Sequence, residues 1–195
     1  MEGNTVEPLM GDADRRSDRD LIQRFRGGDR EAFLTLYRAH SPAVLRFAFY
    51  MTADCVRAEE VTQDVFVWLI HHAGYWNPDR GDLPAFLGGV ARKFLHRQQR
   101  TERRWLPLDE SAAGSDAFSG DLEREQEAAG LRKAIAALPV PYREAVVLCD
   151  LEGMSYEEAA AVQGCAVGTV RSRLHRARQL LARKYQCRKE GERCV

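Results

Sequence analysis

Between Gly168 and Lys189 the chain carries eight basic residues and no acid: Arg171, Arg173, Arg176, Arg178, Arg183, Lys184, Arg188 and Lys189. Guanidinium groups present a rigid fork of donors that matches phosphate oxygens and the major-groove edge of guanine. The chemistry on offer is recognition of an anion. An apolar stripe runs beneath these charges at Val170, Leu174, Ala177 and Leu181, which is helical spacing. The far side carries Ser172, His175, Arg176 and Gln179, with Thr169 and Arg171 beside them. A shorter helix precedes this one. Ser155 with Glu158 three residues on forms a capping box, Ala159, Ala160 and Val162 give a small apolar face, and Gly164 can end the helix left-handed. A helix-turn-helix with a cationic second helix fits a DNA major groove. The plain alternative is an amphipathic hairpin whose basic face is merely solvated.

A second basic block lies upstream. Residues 90–104 carry a net charge of +5. The pattern predicts a helix over Leu83–Arg104 with an apolar stripe at Leu87, Val90, Ala91 and Phe94. Facing away are Arg92, Lys93, His96, Gln99, Arg100 and Arg103, a stripe able to track phosphates. Phe86, Tyr75, Trp76 and Trp105 are positioned in the sequence to stack on unpaired bases. The preceding helix, Asp54–Ala73, has a core face at Val61, Val65, Trp68 and Leu69. Another of its faces is an acidic-polar strip of Glu60, Gln63, Asp64 and Val67, suited to a basic partner helix. His71 and His72 invite a metal-site reading. Neighbouring side chains on a helix diverge, so they make a poor chelate, and no metal or cofactor is expected.

These elements need supports, and the rest of the chain supplies helices to provide them. Hydrophobic residues make up 45% of the 195, enough for real cores. The net charge is zero, yet it is unevenly spread: residues 105–128 carry −6 between the two basic blocks. Residues 1–17 read as a disordered extension. Asp18–Arg26 reads as a short helix closed by Gly27–Gly28, and Asp29 as the cap of the next. Ser41–Pro42 reads as a cap with proline at the first position of a further helix. After an acidic linker, Pro139 and Pro141 frame a break, and the next helix buries Ala145, Val146 and Leu148 or Cys149 before Gly153. Strand-like alternation is absent. The expectation is an all-α chain of two small helical domains, 18–104 and 128–188, joined by a flexible acidic linker, 105–127, with a tail at 189–195.

Five scattered cysteines without a CxxC pair fit a reducing cytosol. Cys187 and Cys194 flank a charged tail where a redox pair competes with an inert end. The first residues hold no apolar leader, and the longest apolar run, Val65–Ile70, is far short of a membrane span. A cytoplasmic location is expected.

Three segments, in order, resemble bacterial sigma factors of the extracytoplasmic-function group. AEEVTQDVFVWLI resembles the polymerase-docking segment. LPAFLGGVARKFLHRQQR resembles the segment that melts and reads the minus-ten element. ALPVPYREAVVLCDLEGMSYEEAAAVQGCAVGTVRSRLHRARQLL resembles the domain that reads the minus-thirty-five element. The resemblance implies that Glu60, Gln63, Asp64 and Val67 meet core RNA polymerase. It implies that Arg92, Lys93, His96, Arg100 and Arg103 meet the single-stranded non-template strand, and that Thr169, Arg171, Ser172, His175 and Arg176 meet duplex promoter DNA. Arg173, nearer the apolar stripe, is expected to pair with Glu157 or Glu158 or to touch DNA. The family usually has Asn at Lys93, Asp at Arg97 and Trp at Phe86, so base capture there should differ. An anti-sigma protein is a further implied partner. The implied activity is promoter selection without catalysis. The alternative is a free-standing helix-turn-helix regulator that binds operator DNA and ignores polymerase; a metal-dependent nuclease using His71 and His72 is the remaining rival.

Overall fold

A computed structural model describes residues 12–105 and 122–192. All the regular elements among them are helical: α1 (Asp12–Arg26), α2 (Arg30–Thr52), α3 (Cys55–His72), α4 (Leu83–Trp105), α5 (Leu122–Ala136), α6 (Val140–Val146), α7 (Tyr156–Gln163) and α8 (Val167–Glu192). A single 3-10 turn, Ala73–Tyr75, follows α3, and a π-helical turn, Val147–Leu151, extends α6. α1 starts at Asp12, earlier than the helix expected from Asp18, and residues 1–11 lie outside the described residues. The linker narrows as well, because α4 runs to Trp105 and α5 begins at Leu122. Most of the expected acidic tether, and the tail at 193–195, lie outside the described residues.

Local chemistry sets most helix starts. Asp29 Oδ1 accepts from the backbone N–H of Glu31 at 2.9 Å and of Ala32 at 3.2 Å. Its other oxygen takes the Arg24 guanidinium, at 2.8 Å, and ties the end of α1 to the start of α2. Asp54 caps α3 in the same way, through Val56 and Arg57. Each bond satisfies an N–H that the first helical turn leaves without a partner.

The helix expected to start at Ser41–Pro42 does not start there. α2 runs unbroken from Arg30 to Thr52 with Pro42 inside it. Proline removes one backbone bond and crowds the preceding turn. The residues on both sides nevertheless sit in one core, with Leu36, Val44, Phe47 and Ala48 buried. Tertiary burial outweighs the local break. α1 is held to α2 by a buried pair, His40 Nε2 to Asp18 Oδ1 at 2.8 Å.

The two helical units, α1–α4 and α5–α8, pack against each other. One apolar core links them, from Leu36, Val61 and Leu87 to Ile135, Leu148 and Leu174. α4 lies along α7, and α2 meets α5 and α6. Gly88 permits the close approach of α4: a Cβ there would lie 3.5 Å from Val162 Cγ2 and 3.7 Å from Met154 Cε. Arg143 crosses from the second unit to donate to the Met51 carbonyl at 2.9 Å, at the C-terminal end of α2 where cations are favoured. It also donates to the carbonyls of Ala136 and Leu138. Burial lowers its pKa from the usual guanidinium range.

Candidate nucleic-acid interface

The hairpin of α7 and α8 is built as its sequence implies. Ser155 Oγ accepts from the Glu158 N–H at 3.2 Å, and the Glu158 carboxylate accepts from the Ser155 N–H at 2.7 Å. Gly164 closes α7 at φ 63°, which a residue with a Cβ adopts only with strain. Val170, Leu174 and Ala177 are fully buried, and Leu181 is half-buried. The opposite side of α8 presents Arg171, Ser172, His175 and Arg176 to solvent, with Thr169 half-buried at its start.

These outward residues hold one another in place. The Arg171 guanidinium lies over the Tyr156 ring, 5.5 Å from its centre. Ser172 Oγ donates to the Thr169 carbonyl at 2.9 Å. Gln179 accepts from Arg176 at 3.3 Å and lies 2.9 Å from His175 Nε2. Arg173 does not reach Glu157 or Glu158. It donates to Gln163 Oε1 at 2.6 Å and lies 3.5 Å from Cys165 Sγ, so it locks α8 to the end of α7. A cation and a neutral amide suffice there because Gln163 is buried and its carbonyl needs a donor. Arg178 is also committed to structure. It forms a two-pronged pair with Asp150 at 2.6 and 3.1 Å, which raises its pKa chiefly through that hydrogen bond. Over its first three turns the basic helix therefore splits into an outward pair, Arg171 and Arg176, and a structural pair, Arg173 and Arg178, while Arg183 and Lys184 further along are exposed.

On α3 the acidic strip is accessible. Glu60, Gln63 and Val67 are exposed and Asp64 is half-buried, while Val61, Val65 and Leu69 are buried beneath. Trp68 is only half-buried, in contrast to its expected place in the core. Its ring stacks on His72 at 4.5 Å and 5°. Tyr75, which is 75% exposed, flanks both rings at 6.2 and 5.6 Å, and Phe86 lies 5.8 Å from Trp68. The sequence reading found Tyr75 and Phe86 but missed the Trp68–His72 stack that joins them. The signal was the i, i+4 spacing of the two aromatic rings. Trp76 is removed from the stacking set: it is buried, and its indole N–H donates to the Gly81 carbonyl at 3.0 Å.

The basic stripe of α4 departs most from expectation. Arg92 and His96 do not simply face solvent. Arg92 Nε donates to Glu144 Oε1 at 2.8 Å, and His96 Nε2 lies 3.2 Å from the same oxygen. Glu144 belongs to α6 and is 2% exposed. Lys93 and Arg97 remain outward, Arg97 over the Phe94 ring at 5.0 Å. The side chains of Arg100, Arg103 and Trp105 lie outside the described residues.

Among the described residues no group of three His, Cys, Asp or Glu side chains is placed to hold a metal, and no helix is long and apolar enough to cross a membrane. His71 and His72 set their rings 6.4 Å apart and nearly perpendicular. Cys55, Cys149 and Cys165 are free thiols, Cys55 being exposed. Burial, helped by the adjacent Asp150 charge, pushes the Cys149 thiol up to about 12. The side chains of Cys187 and Cys194 lie outside the described residues.

Residues 36–105 match the family described as Sigma-70 region 2, and residues 129–181 match Sigma-70, region 4. The chain is 34% identical over 161 residues to the ECF RNA polymerase sigma factor SigE of Mycolicibacterium smegmatis, spanning 80% of this chain and 62% of that relative. It is 30% identical to the RNA polymerase sigma-H factor of Pseudomonas aeruginosa, over 87% of this chain and 94% of the relative. Among solved structures, the sigma factor RpoE in complex with the anti-sigma factor NepR from Bartonella quintana superposes with a TM-score of 0.69. It shows 30% identity over 79% of this chain and 96% of that one. CnrH in complex with the cytosolic domain of CnrY gives 0.64 at 26% identity, covering 88% and 98%. The chain belongs to the sigma-70 family, as an RNA polymerase sigma factor of the ECF group.

Proposed function

We propose that this sigma factor divides promoter recognition among three faces. The α3 strip of Glu60, Gln63, Asp64 and Val67 docks on core RNA polymerase. The α4 stripe and the rings around Tyr75 take the separated non-template strand. The outward face of α8 reads the duplex upstream. The observation that carries this reading is the outward face of α8, where four polar or basic side chains stand on a helix whose opposite stripe is buried and whose angle is fixed by Arg173.

No bond is made or broken by the protein. On α8, phosphate contacts set register and side chains such as Arg171 and Arg176 address base edges. Downstream, extruding a base from the duplex costs a few kcal/mol. Stacking against an aromatic ring returns about 1–3 kcal/mol per base, and Tyr75 with the Trp68–His72 pair offers such rings. Neither DNA contact need be tight, since tethering both faces to polymerase raises their effective concentration. An anti-sigma protein is proposed as the partner that restrains the factor, in the cytoplasm where polymerase works. A free-standing regulator would have no use for the α3 strip.

The test is co-purification with core polymerase. Replacing Gln63 and Asp64 together by alanine should reduce recovery about tenfold or more, while circular dichroism and duplex binding by α8 stay unchanged. Undiminished recovery by the double variant would remove α3 from the docking role.

A further inference from the structure

At the turn between α7 and α8 three side chains meet that the outward DNA face does not use. Cys165 is half-buried there, just beyond the left-handed Gly164, with its backbone N–H donating to the Ala160 carbonyl at 3.1 Å. The Arg173 guanidinium lies 3.5 Å from Cys165 Sγ, and the Gln163 carboxamide oxygen lies 4.0 Å from the same sulfur. Gln163 is 4% exposed. A guanidinium only donates, so the 2.6 Å contact from Arg173 fixes which end of the carboxamide is the oxygen. The other end, Gln163 Nε2, is buried without an acceptor. Buried donors rarely go unpaired. The cluster therefore gathers surplus N–H donors around one sulfur, and its single oxygen, Oε1, is already taken. What the turn lacks is an acceptor atom, and the sulfur is where one can be added.

We propose that Cys165 is an oxidation site, converted by hydrogen peroxide to a sulfenic acid whose oxygen enters this donor-rich turn. The anionic sulfur attacks one peroxide oxygen. The O–O bond breaks as the S–O bond forms, and two electrons pass from sulfur to peroxide. The other oxygen leaves as hydroxide and takes up a proton to become water. A cationic, partly exposed setting is the one in which cysteines react. Cys149 has the reverse setting, buried and beside the Asp150 charge. At Cys165 the new oxygen accepts from Gln163 Nε2 and from Arg173. It competes with Gln163 Oε1 for the guanidinium that locks α8 to α7, so the outward face of α8 loses its fixed angle. Oxidation thus weakens duplex binding, a consequence that rests on the reading of α8 as the duplex-binding face; the modification itself does not. Thiols reverse it: two of them reduce the sulfenic acid to cysteine, giving a disulfide and water.

The test uses the full chain with Cys149 replaced by alanine and Cys55, Cys187 and Cys194 by serine, which leaves Cys165 as the one thiol. Hydrogen peroxide is added with dimedone, which traps sulfenic acids, and the adduct is followed by mass spectrometry. Cys165 should be labelled. Arg173→Met, which removes the neighbouring charge, should slow labelling on the order of tenfold. Arg173→Gln keeps a donor for Gln163 without the charge and should slow it equally, with thermal melting confirming the fold. No adduct, or labelling as fast in a folded variant as in the parent, would overturn the proposal. In a second arm, peroxide should weaken binding to a fluorescent mixed-sequence duplex about fivefold, the worth of one net hydrogen bond, and dithiothreitol should restore it. Cys165→Ala should bind alike with and without peroxide. Full labelling with unchanged duplex affinity would overturn the coupling to α8. The duplex reading fails separately: if Arg171→Ala with Arg176→Ala leaves duplex affinity untouched, that reading is lost, and the labelling rates still decide the site.

Discussion

On α8 the charged face and the packed face lie on opposite sides of the helix; on α4 they overlap. Both helices are arginine-rich, and composition alone makes them equivalent. α8 buries Val170, Leu174 and Ala177 on one side and shows Arg171 and Arg176 on the other. α4 packs against α2, α3 and α7, and along its outer arc Arg92 and His96 meet Glu144 of α6. A basic stripe is therefore available only where the packed arc of its helix leaves it clear. Arginine count does not decide the matter.

The largest expected effect comes from removing the support beneath the α8 face. Leu174 is buried in the second unit, and Leu174→Ala should cost about 2–5 kcal/mol. Thermal unfolding would register it, and duplex binding should fall while single-strand binding by α4 does not. Loss of both together would show that the two stripes depend on one support and would break the comparison. Next comes Arg173→Met. It strips the buried Gln163 carbonyl of its donor, with an expected loss of about 1–3 kcal/mol and weaker binding to every duplex alike. A variant as stable as the parent would place Arg173 among the DNA contacts. The smallest effect on stability belongs to Arg176→Ala, within about 0.5 kcal/mol. Its signature is elsewhere: the slope of log affinity against log salt should become shallower by about 1 if a phosphate contact is lost. An unchanged slope would leave Arg176 no phosphate partner.

Features that depend on neighbours in sequence were legible before the structure. The caps at Asp29, Asp54 and Ser155–Glu158, the left-handed Gly164 and the stripe under α8 are each fixed by contacts within a turn or two of helix. What could not be read rests on distant partners. Glu144 meets Arg92 from 52 positions away, and nothing local distinguishes it from a surface acid. For Arg173 the pattern offers Glu157, Glu158 or DNA, whereas the fold gives it a buried amide. Pro42 signals a helix start locally, and only the core on both sides of it carries α2 through. Tyr75 and Trp76 are neighbours of similar type. The loop turns one outward and ties the other to the Gly81 carbonyl, a difference set by backbone geometry that pattern does not encode.

The Cys149 thiol, pushed up to about 12 by its surroundings, gives the second unit an internal clock. Burial and the neighbouring Asp150 charge both disfavour the reactive thiolate there, so alkylating reagents find little to attack. Cys55 is exposed and reacts from the start. Modification of Cys149 then waits on the helix around it opening to water. Its rate, read at that site by mass spectrometry to separate it from the other four cysteines, counts those openings.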